Sequence, residues 1–160
     1  MKDISIYFQS IVSTETIAET LGASVLINDE NGFPEILSGG VAIFYVPEFR
    51  NSTIKNKQGS TDFFRNEFYK LFPGDNWDFP IYDLGTIIPG ESISDTYFAV
   101  SQVVGELLKN NTIPYVIGGG HDLIMACYKG FESLEQMINI CTVDYKLDIG
   151  EPSTEISSAG

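Results

Sequence analysis

A glycine-rich turn with a histidine follows one of the most apolar runs of the chain. Residues 113–117 read I-P-Y-V-I, and residues 118–122 read G-G-G-H-D. Three successive glycines let the backbone turn sharply and let another group approach it closely. His121 is the only histidine, and at the end of a strand it is a candidate metal ligand or acid–base group. A purely structural turn, with the histidine capping the next helix, stays open as the alternative.

A second set of polar residues follows the apolar run at residues 138–143. Asp144 and Asp148 lie four residues apart there, with Lys146 between them. Carboxylate oxygens are the ligands that hard divalent cations prefer, and imidazole suits manganese or zinc. His121, Asp144 and Asp148 are therefore candidate ligands of one metal site. Solvation alone is the competing explanation for two acids in a loop of an acidic protein.

Strands and helices alternate around these two stretches. Ser92 and Asp95 have the spacing of a capping box, which predicts that a long helix begins at residue 93. The alternation predicts right-handed crossovers and an α/β fold, in which a mainly parallel sheet carries helices on both faces. Apolar runs and helical spacing place strands at residues 41–46, 79–84, 113–117 and 138–143, and helices at residues 61–72, 93–109 and 122–129.

The predicted domain organisation has three parts. Residues 1–38 form an N-terminal edge segment, and residues 39–149 form the α/β domain. Residues 150–160 are rich in Ser, Gly, Pro and Glu, which predicts a flexible tail. The edge segment contains patterns for two short strands and one short helix, at residues 4–8, 24–27 and 14–21 respectively.

Composition narrows the classes of partner. A net charge of -13, with only nine Lys and Arg residues, opposes binding to nucleic acid or to an anionic membrane surface. It is compatible with a small cationic substrate. No apolar run is long enough to span a membrane. Cys127 and Cys141 lie in apolar runs outside any C-x-x-C pattern, which predicts reduced core cysteines in a cytoplasmic protein.

Together, the polar stretches resemble the metal-binding motifs of the ureohydrolase family, which contains arginases, agmatinases and formimidoylglutamases. Residues 118–122 resemble the family motif G-G-D-H-S, and residues 144–148 resemble D-A-H-x-D. The run at residues 41–46, followed by Pro47-Glu48, resembles the family's first strand. The resemblance covers residues 35–150 and is nearest to the formimidoylglutamase branch.

The resemblance implies an arginase-like, three-layer α/β/α fold, of which this chain would supply the N-terminal half. It also implies hydrolysis of C–N bonds in amidines or guanidines by a hydroxide that bridges two manganese ions. The substrate would be a small cationic or formimino compound. Metal-binding roles are implied for His121, Asp144 and Asp148, with supporting roles for Gly119, Gly120 and Asp122.

Several residues depart from the family pattern. Lys146 stands where the family has a metal-binding histidine, and a protonated lysine has no lone pair for a metal and repels it. Gly120 and Asp122 replace an aspartate and a serine. The family's remaining carboxylate ligands belong to a C-terminal half that this sequence does not include. We therefore expect at most one weakly bound manganese ion, or none, and no hydrolysis by this chain.

Two other classes of function stay open at this stage. The chain is alternatively a non-catalytic α/β pseudoenzyme or interaction subunit that binds a small molecule or a partner chain. A flavodoxin-like nucleotide-binding domain is the third interpretation, although the glycine spacing matches neither common phosphate-binding pattern. In that case the four strands would close into a smaller sheet. In either arrangement, an incomplete sheet exposes its edges and apolar faces, which favours a homo-oligomer.

Overall fold

The computed structural model describes residues 2–12, 16–52, 61–76 and 78–143. Two short strands come first, β1 (Phe8–Gln9) and β2 (Leu26–Ile27), each two residues long. The longer strands and the helices then alternate in the order β3 (Val41–Tyr45), α1 (Thr61–Phe68), β4 (Ile81–Ile87), α2 (Ile93–Lys109), β5 (Ile113–Ile117) and α3 (Leu123–Glu132).

The strands form one mixed sheet in the order β1-β4-β3-β5, with β2 also beside β4. β3 pairs in parallel with β4 on one side and with β5 on the other. β2 is parallel to β4, whereas β1 is antiparallel to it. Parallel strands need crossover connections: α1 lies in the connection from β3 to its neighbour β4, and α2 lies in the connection from β4 to β5 on the other side of β3. The prediction of an α/β fold with a mainly parallel sheet is therefore confirmed.

The two faces of the sheet are covered by different helices. Phe44 belongs to a large apolar cluster that the sheet forms with α2 and α3. Ile43, the preceding residue of β3, belongs to a second cluster that includes Phe64 of α1. Successive side chains of a strand point to opposite faces, so β3 is buried on both of them. The molecule consequently has three layers, as expected.

Helix α2 begins as its sequence predicts. The Ser92 N–H donates to the Asp95 carboxylate at 2.8 Å, and the Asp95 N–H donates to the Ser92 hydroxyl at 3.2 Å. This reciprocal capping box satisfies two backbone donors, and a cap of this kind is worth about 1 kcal/mol. The predicted stripe of α2 is buried against the sheet, at Tyr97, Val100, Val104 and Leu107.

The predicted fourth strand is wrong. Residues 138–143 have no regular secondary structure, and five of these six residues are exposed. An apolar run becomes a strand only where another strand offers its free N–H and C=O groups, and this run does not reach the sheet. Cys141 is consequently exposed rather than part of the core. The flavodoxin-like arrangement, in which this run would pair with β5, is absent from the described residues.

Other boundaries shift because backbone pairing and local turns overrule the apolar pattern. β4 continues three residues past its predicted end, through an irregularity in its pairing with β3 where Gly85 has φ +93°. The predicted strand at residues 4–8 is mostly a 3₁₀ turn, Ser5–Tyr7. Of the helix predicted at residues 14–21, the described residues 16–20 are not helical.

The core also includes the N-terminal segment. Ile4 and Phe8 join the cluster under α2, and Leu21 and Val25 join the cluster under α1. No helix in the described part of the chain is long and apolar enough to cross a bilayer. The predicted tail at residues 150–160 lies outside the described residues.

Candidate functional site

The glycine-rich turn follows β5 directly and packs against the loop after β3. Gly118 and Gly119 both have φ +81°, a left-handed conformation that favours glycine. A Cβ atom at Gly119 would collide with Leu123 and approach the Val46 carbonyl to 3.0 Å. The Gly120 N–H donates to the Glu48 carbonyl at 2.7 Å. Glycine is therefore required here by backbone conformation and by close packing.

His121 lies at the C-terminal end of β5, between this turn and α3, and its side chain is exposed. An open depression of about 460 Å³ lies next to it, lined by the turn, by Val116 and by the first turns of α3. The prediction that the histidine sits at the C-terminal edge of a parallel sheet is thus correct in position. His121 is accessible to a ligand from solvent.

Asp122 points the other way and is buried. The Tyr97 hydroxyl of α2 donates a hydrogen bond to Asp122 Oδ2. Asp122 Oδ1 is buried and has no hydrogen-bond partner among the described residues. Burial and the adjacent carboxylate together raise the pKa of Tyr97, so its hydroxyl stays protonated and keeps donating. The sequence suggested that Asp122 supports His121, whereas the structure connects it to α2.

An ion pair that we did not predict lies beside the turn. Glu48 is 1% exposed and accepts bonds from Arg50 Nε at 2.9 Å and from Arg50 Nη2. The same guanidinium donates to the carbonyl oxygens of Glu91 at 2.7 Å and Gly90 at 3.2 Å, and to the Thr96 hydroxyl at 3.2 Å. Arg50 therefore ties the loop after β3 to the start of α2.

The electrostatics of this pair are favourable despite burial. Burial alone raises the pKa of Glu48, but hydrogen bonds from Arg50 and Thr96 and the Arg50 charge outweigh it and hold the pKa below its usual value. The available sequence signal was Pro47-Glu48 directly after a buried strand, with an arginine two residues later. That pattern predicts a polar loop at the C-terminal edge of the sheet, but it does not predict which residues accept hydrogen bonds from the arginine.

A second buried polar cluster lies on the opposite face of the sheet. Asp83 of β4 accepts from Arg65 Nε at 2.7 Å and Arg65 Nη2 at 3.0 Å. It also accepts from the Tyr69 hydroxyl at 2.8 Å and from the Gly85 N–H at 3.0 Å. Burial and the Asp83 charge raise the pKa of Tyr69. Every bonding position of this carboxylate has a protein donor, which is the pattern of a structural ion pair.

Of the three predicted metal ligands, only His121 lies among the described residues. Gly119 and Gly120 directly precede His121, and the supporting roles that the resemblance implies for them stay predictions. Asp144, Lys146 and Asp148 lie outside the described residues. Within residues 2–12, 16–52, 61–76 and 78–143, no group of three or more His, Cys, Asp or Glu side chains is arranged to hold a metal ion. The described residues bring one imidazole to the turn without a group of three ligand side chains around it, so they do not by themselves fit a dinuclear manganese centre.

Cys127 also lines the depression next to His121, and its thiol is a candidate nucleophile. It lies in α3 and is half-buried, and burial raises the pKa of its thiol to about 11. At that pKa the thiol stays protonated near neutral pH and is a poor nucleophile. The predicted packing of Cys127 against the core agrees with its position in α3, whereas its reduced state stays a prediction.

These observations define the chain as a mixed α/β protein with polar residues at the C-terminal edge of a largely parallel sheet. The structure is similar to that of formimidoylglutamase from Bacillus subtilis subsp. subtilis str. 168, with a TM-score of 0.58 and 16% sequence identity. The similarity covers 78% of this chain and 41% of that chain, so this chain spans less than half the length of that protein. At this identity the likeness concerns the fold. No protein-family model and no curated protein sequence matches the chain.

Proposed function

We propose that this chain is a ureohydrolase-like scaffold whose site lies at the turn of residues 118–122, within an α/β domain spanning residues 39–149. The supporting observation is the position of His121 at the C-terminal end of β5, beside β3, in a fold similar to that of a formimidoylglutamase. C-terminal strand ends are where α/β proteins bind ligands. The substrate class would be small cationic or formimino compounds, in a cytoplasmic protein.

We further propose that this chain alone does not hydrolyse such compounds. A hydroxide bridging two metal ions needs ligands for both, and Lys146 would place an ammonium where one ligand belongs. Asp122, the carboxylate next to His121, is buried and bonded to Tyr97 rather than open to the depression. His121 with Asp144 and Asp148 would hold at most one manganese ion, weakly.

Calorimetric titration with manganese chloride tests the metal proposal. The wild-type chain should bind no more than one ion, and His121→Ala should abolish that binding. Lys146→His should strengthen binding or add a second ion, because it exchanges an ammonium for an imidazole. Lys129→His is the matched control, since Lys129 is exposed on α3, outside the motif, and should leave binding unchanged. Tight binding of two ions by the wild-type chain would refute the proposal.

An activity assay tests the catalytic part separately. The purified chain with added manganese should release no urea from arginine or agmatine, and no formamide from formiminoglutamate. Release above the background of His121→Ala would show that the chain is an enzyme after all. If the wild-type chain has no hydrolytic activity and the Lys146→His variant has some, Lys146 is the residue that prevents catalysis at this site.

A non-catalytic subunit is the second candidate, and one observation favours it. Ile113 and Tyr115 of β5 are apolar or aromatic and more than half exposed, although they lie in a strand of the central sheet. Exposed apolar side chains on a sheet are typical of a surface that another chain covers. Co-purification of a stoichiometric partner, with no metal bound and no activity, would favour this candidate.

A further inference from the structure

The outer edge of β5 carries backbone groups that no strand of the described sheet pairs. The Ile113 N–H donates to the Gly40 carbonyl, and the Ile117 carbonyl accepts from the Val46 N–H. In a parallel pair, alternate residues direct both backbone groups to the same neighbour. Residues 113, 115 and 117 therefore face β3, while Pro114 and Val116 face outward.

Four groups define this open edge. They are the Pro114 carbonyl, the Val116 N–H and carbonyl, and the Gly118 N–H. The Gly118 N–H belongs to this edge because it points opposite to the Ile117 carbonyl across a trans peptide bond. Proline has no N–H, so the edge offers two donors and two acceptors. The depression beside the turn runs along this edge, since Val116 lines it together with residues of α3.

The side chains around this edge are uncharged. Residues 110–120 contain no acidic or basic residue. Ile113 is 62% exposed and Tyr115 is 55% exposed on the α1 face of the sheet, because the cluster under α1 includes Ile117 of β5 but neither of these two residues. Soluble proteins usually protect an edge strand with charged side chains or a proline, and along the described residues 110–120 Pro114 is the one such residue.

We propose that β5 pairs antiparallel with β5 of a second copy of this chain, about a two-fold axis through Val116. Val116 would exchange both hydrogen bonds with Val116 of the second copy, and each Gly118 N–H would donate to the Pro114 carbonyl opposite. Four hydrogen bonds result, and the missing proline N–H is not needed. This proposal does not depend on the proposed hydrolase scaffold.

Self-complementarity is what identifies the second copy as the occupant. In this register Tyr115 lies opposite Ile117 of the other copy, so an exposed aromatic ring meets a half-buried apolar side chain twice across the axis. A two-fold interface requires such a pattern, in which residue i meets residue j and j meets i. The negative charge of each chain lies outside residues 110–120, and salt screens it over about 10 Å.

Analytical ultracentrifugation tests the proposal with a matched pair of variants. The wild-type chain should be a dimer at micromolar concentration and above. Tyr115→Lys should weaken the dimer at least about tenfold, because it removes two cross-strand contacts and places two ammonium groups near the axis. Phe98→Lys, at a side chain on α2 that is 58% exposed, should leave the dimer unchanged. Equal effects of the two variants would overturn the proposal.

Amide hydrogen exchange on the unmodified chain gives a second readout that needs no variant. The Val116 and Gly118 amides should become protected as the concentration rises into the dimer range. The Tyr115 amide faces β3 and should be protected at every concentration. Rapid exchange at Val116 in a dimeric sample would place the interface elsewhere. A chain that stays monomeric at its highest soluble concentration would equally overturn the proposal, because β5 would then not pair with a second copy.

Discussion

Two buried aspartates lie on opposite faces of the sheet, and they differ in how many hydrogen bonds their carboxylates accept. Asp83, under α1, accepts four hydrogen bonds, including a bidentate pair from Arg65. Asp122, under α2, accepts one bond from Tyr97 and has a buried oxygen without a partner among the described residues. Breaking a fully bonded buried ion pair is costly because it leaves the other charge uncompensated, whereas a buried oxygen without a partner already costs free energy in the folded state.

The difference matches their positions in the fold. Asp83 lies inside β4 and is 1% exposed, and its donors come from Arg65 of α1, from Tyr69 just after that helix, and from Gly85 of its own strand. Asp122 adjoins the glycine-rich turn at the edge where α/β proteins bind ligands. We infer that the cluster around Asp83 is structural. Among the described residues, the buried side-chain oxygen without a hydrogen-bond partner lies at the candidate site.

The largest expected effect is at Asp83. Asp83→Asn leaves the Arg65 charge buried without its counter-ion and should lower the free energy of unfolding by about 3–5 kcal/mol. Asp122→Asn is the matched comparison and should change stability by less than about 1 kcal/mol, because it removes a buried charge that has a single partner. Urea unfolding measures both. Similar losses from the two substitutions would show that the aspartates are equivalent.

A smaller effect separates the two tyrosines. Tyr97→Phe removes the hydroxyl that donates to Asp122 Oδ2, so neither carboxylate oxygen keeps a hydrogen-bond donor among the described residues. The substitution should lower the free energy of unfolding by about 1–3 kcal/mol. Tyr69→Phe leaves Asp83 with three donors and should cost about 0.5–1.5 kcal/mol. The double variant Tyr97→Phe/Asp122→Asn should be more stable than Tyr97→Phe alone, because it also removes the buried carboxylate charge that has lost its donor. A larger loss at Tyr69 than at Tyr97 would contradict this account of the two clusters.

The smallest effect concerns pH and Glu48. The folded-state pKa of Glu48 is lowered, so the pair with Arg50 stabilises the protein above the usual glutamate pKa and loses that contribution as pH falls through the folded value. Glu48→Gln should therefore reduce the loss in the free energy of unfolding that accompanies acidification. The reduction should be about 1 kcal/mol or less, because Arg50 is partly exposed. Glu67→Gln, in an exposed pair with Lys70, is the control and should leave the profile unchanged.

Much of the fold was predictable because its signals are local. Consecutive apolar residues predicted β3 and β5, and Ser92 with Asp95 predicted the start of α2. A capping box involves residues three positions apart, so it depends little on the rest of the chain. The glycine-rich turn was predictable for the same reason, since positive φ at Gly118 and Gly119 favours glycine.

The sequence by itself determined the α/β class, the three longer strands, the helix between β4 and β5, and the place of His121 at the C-terminal edge of the sheet. Tertiary structure alone decided which distant side chains meet. Asp83 pairs with Arg65 across 18 residues, and Arg50 reaches the carbonyl of Glu91 across 41. It also decided that residues 138–143 do not join the sheet. Local patterns report what a segment can form, whereas such contacts depend on which surfaces the folded chain brings together.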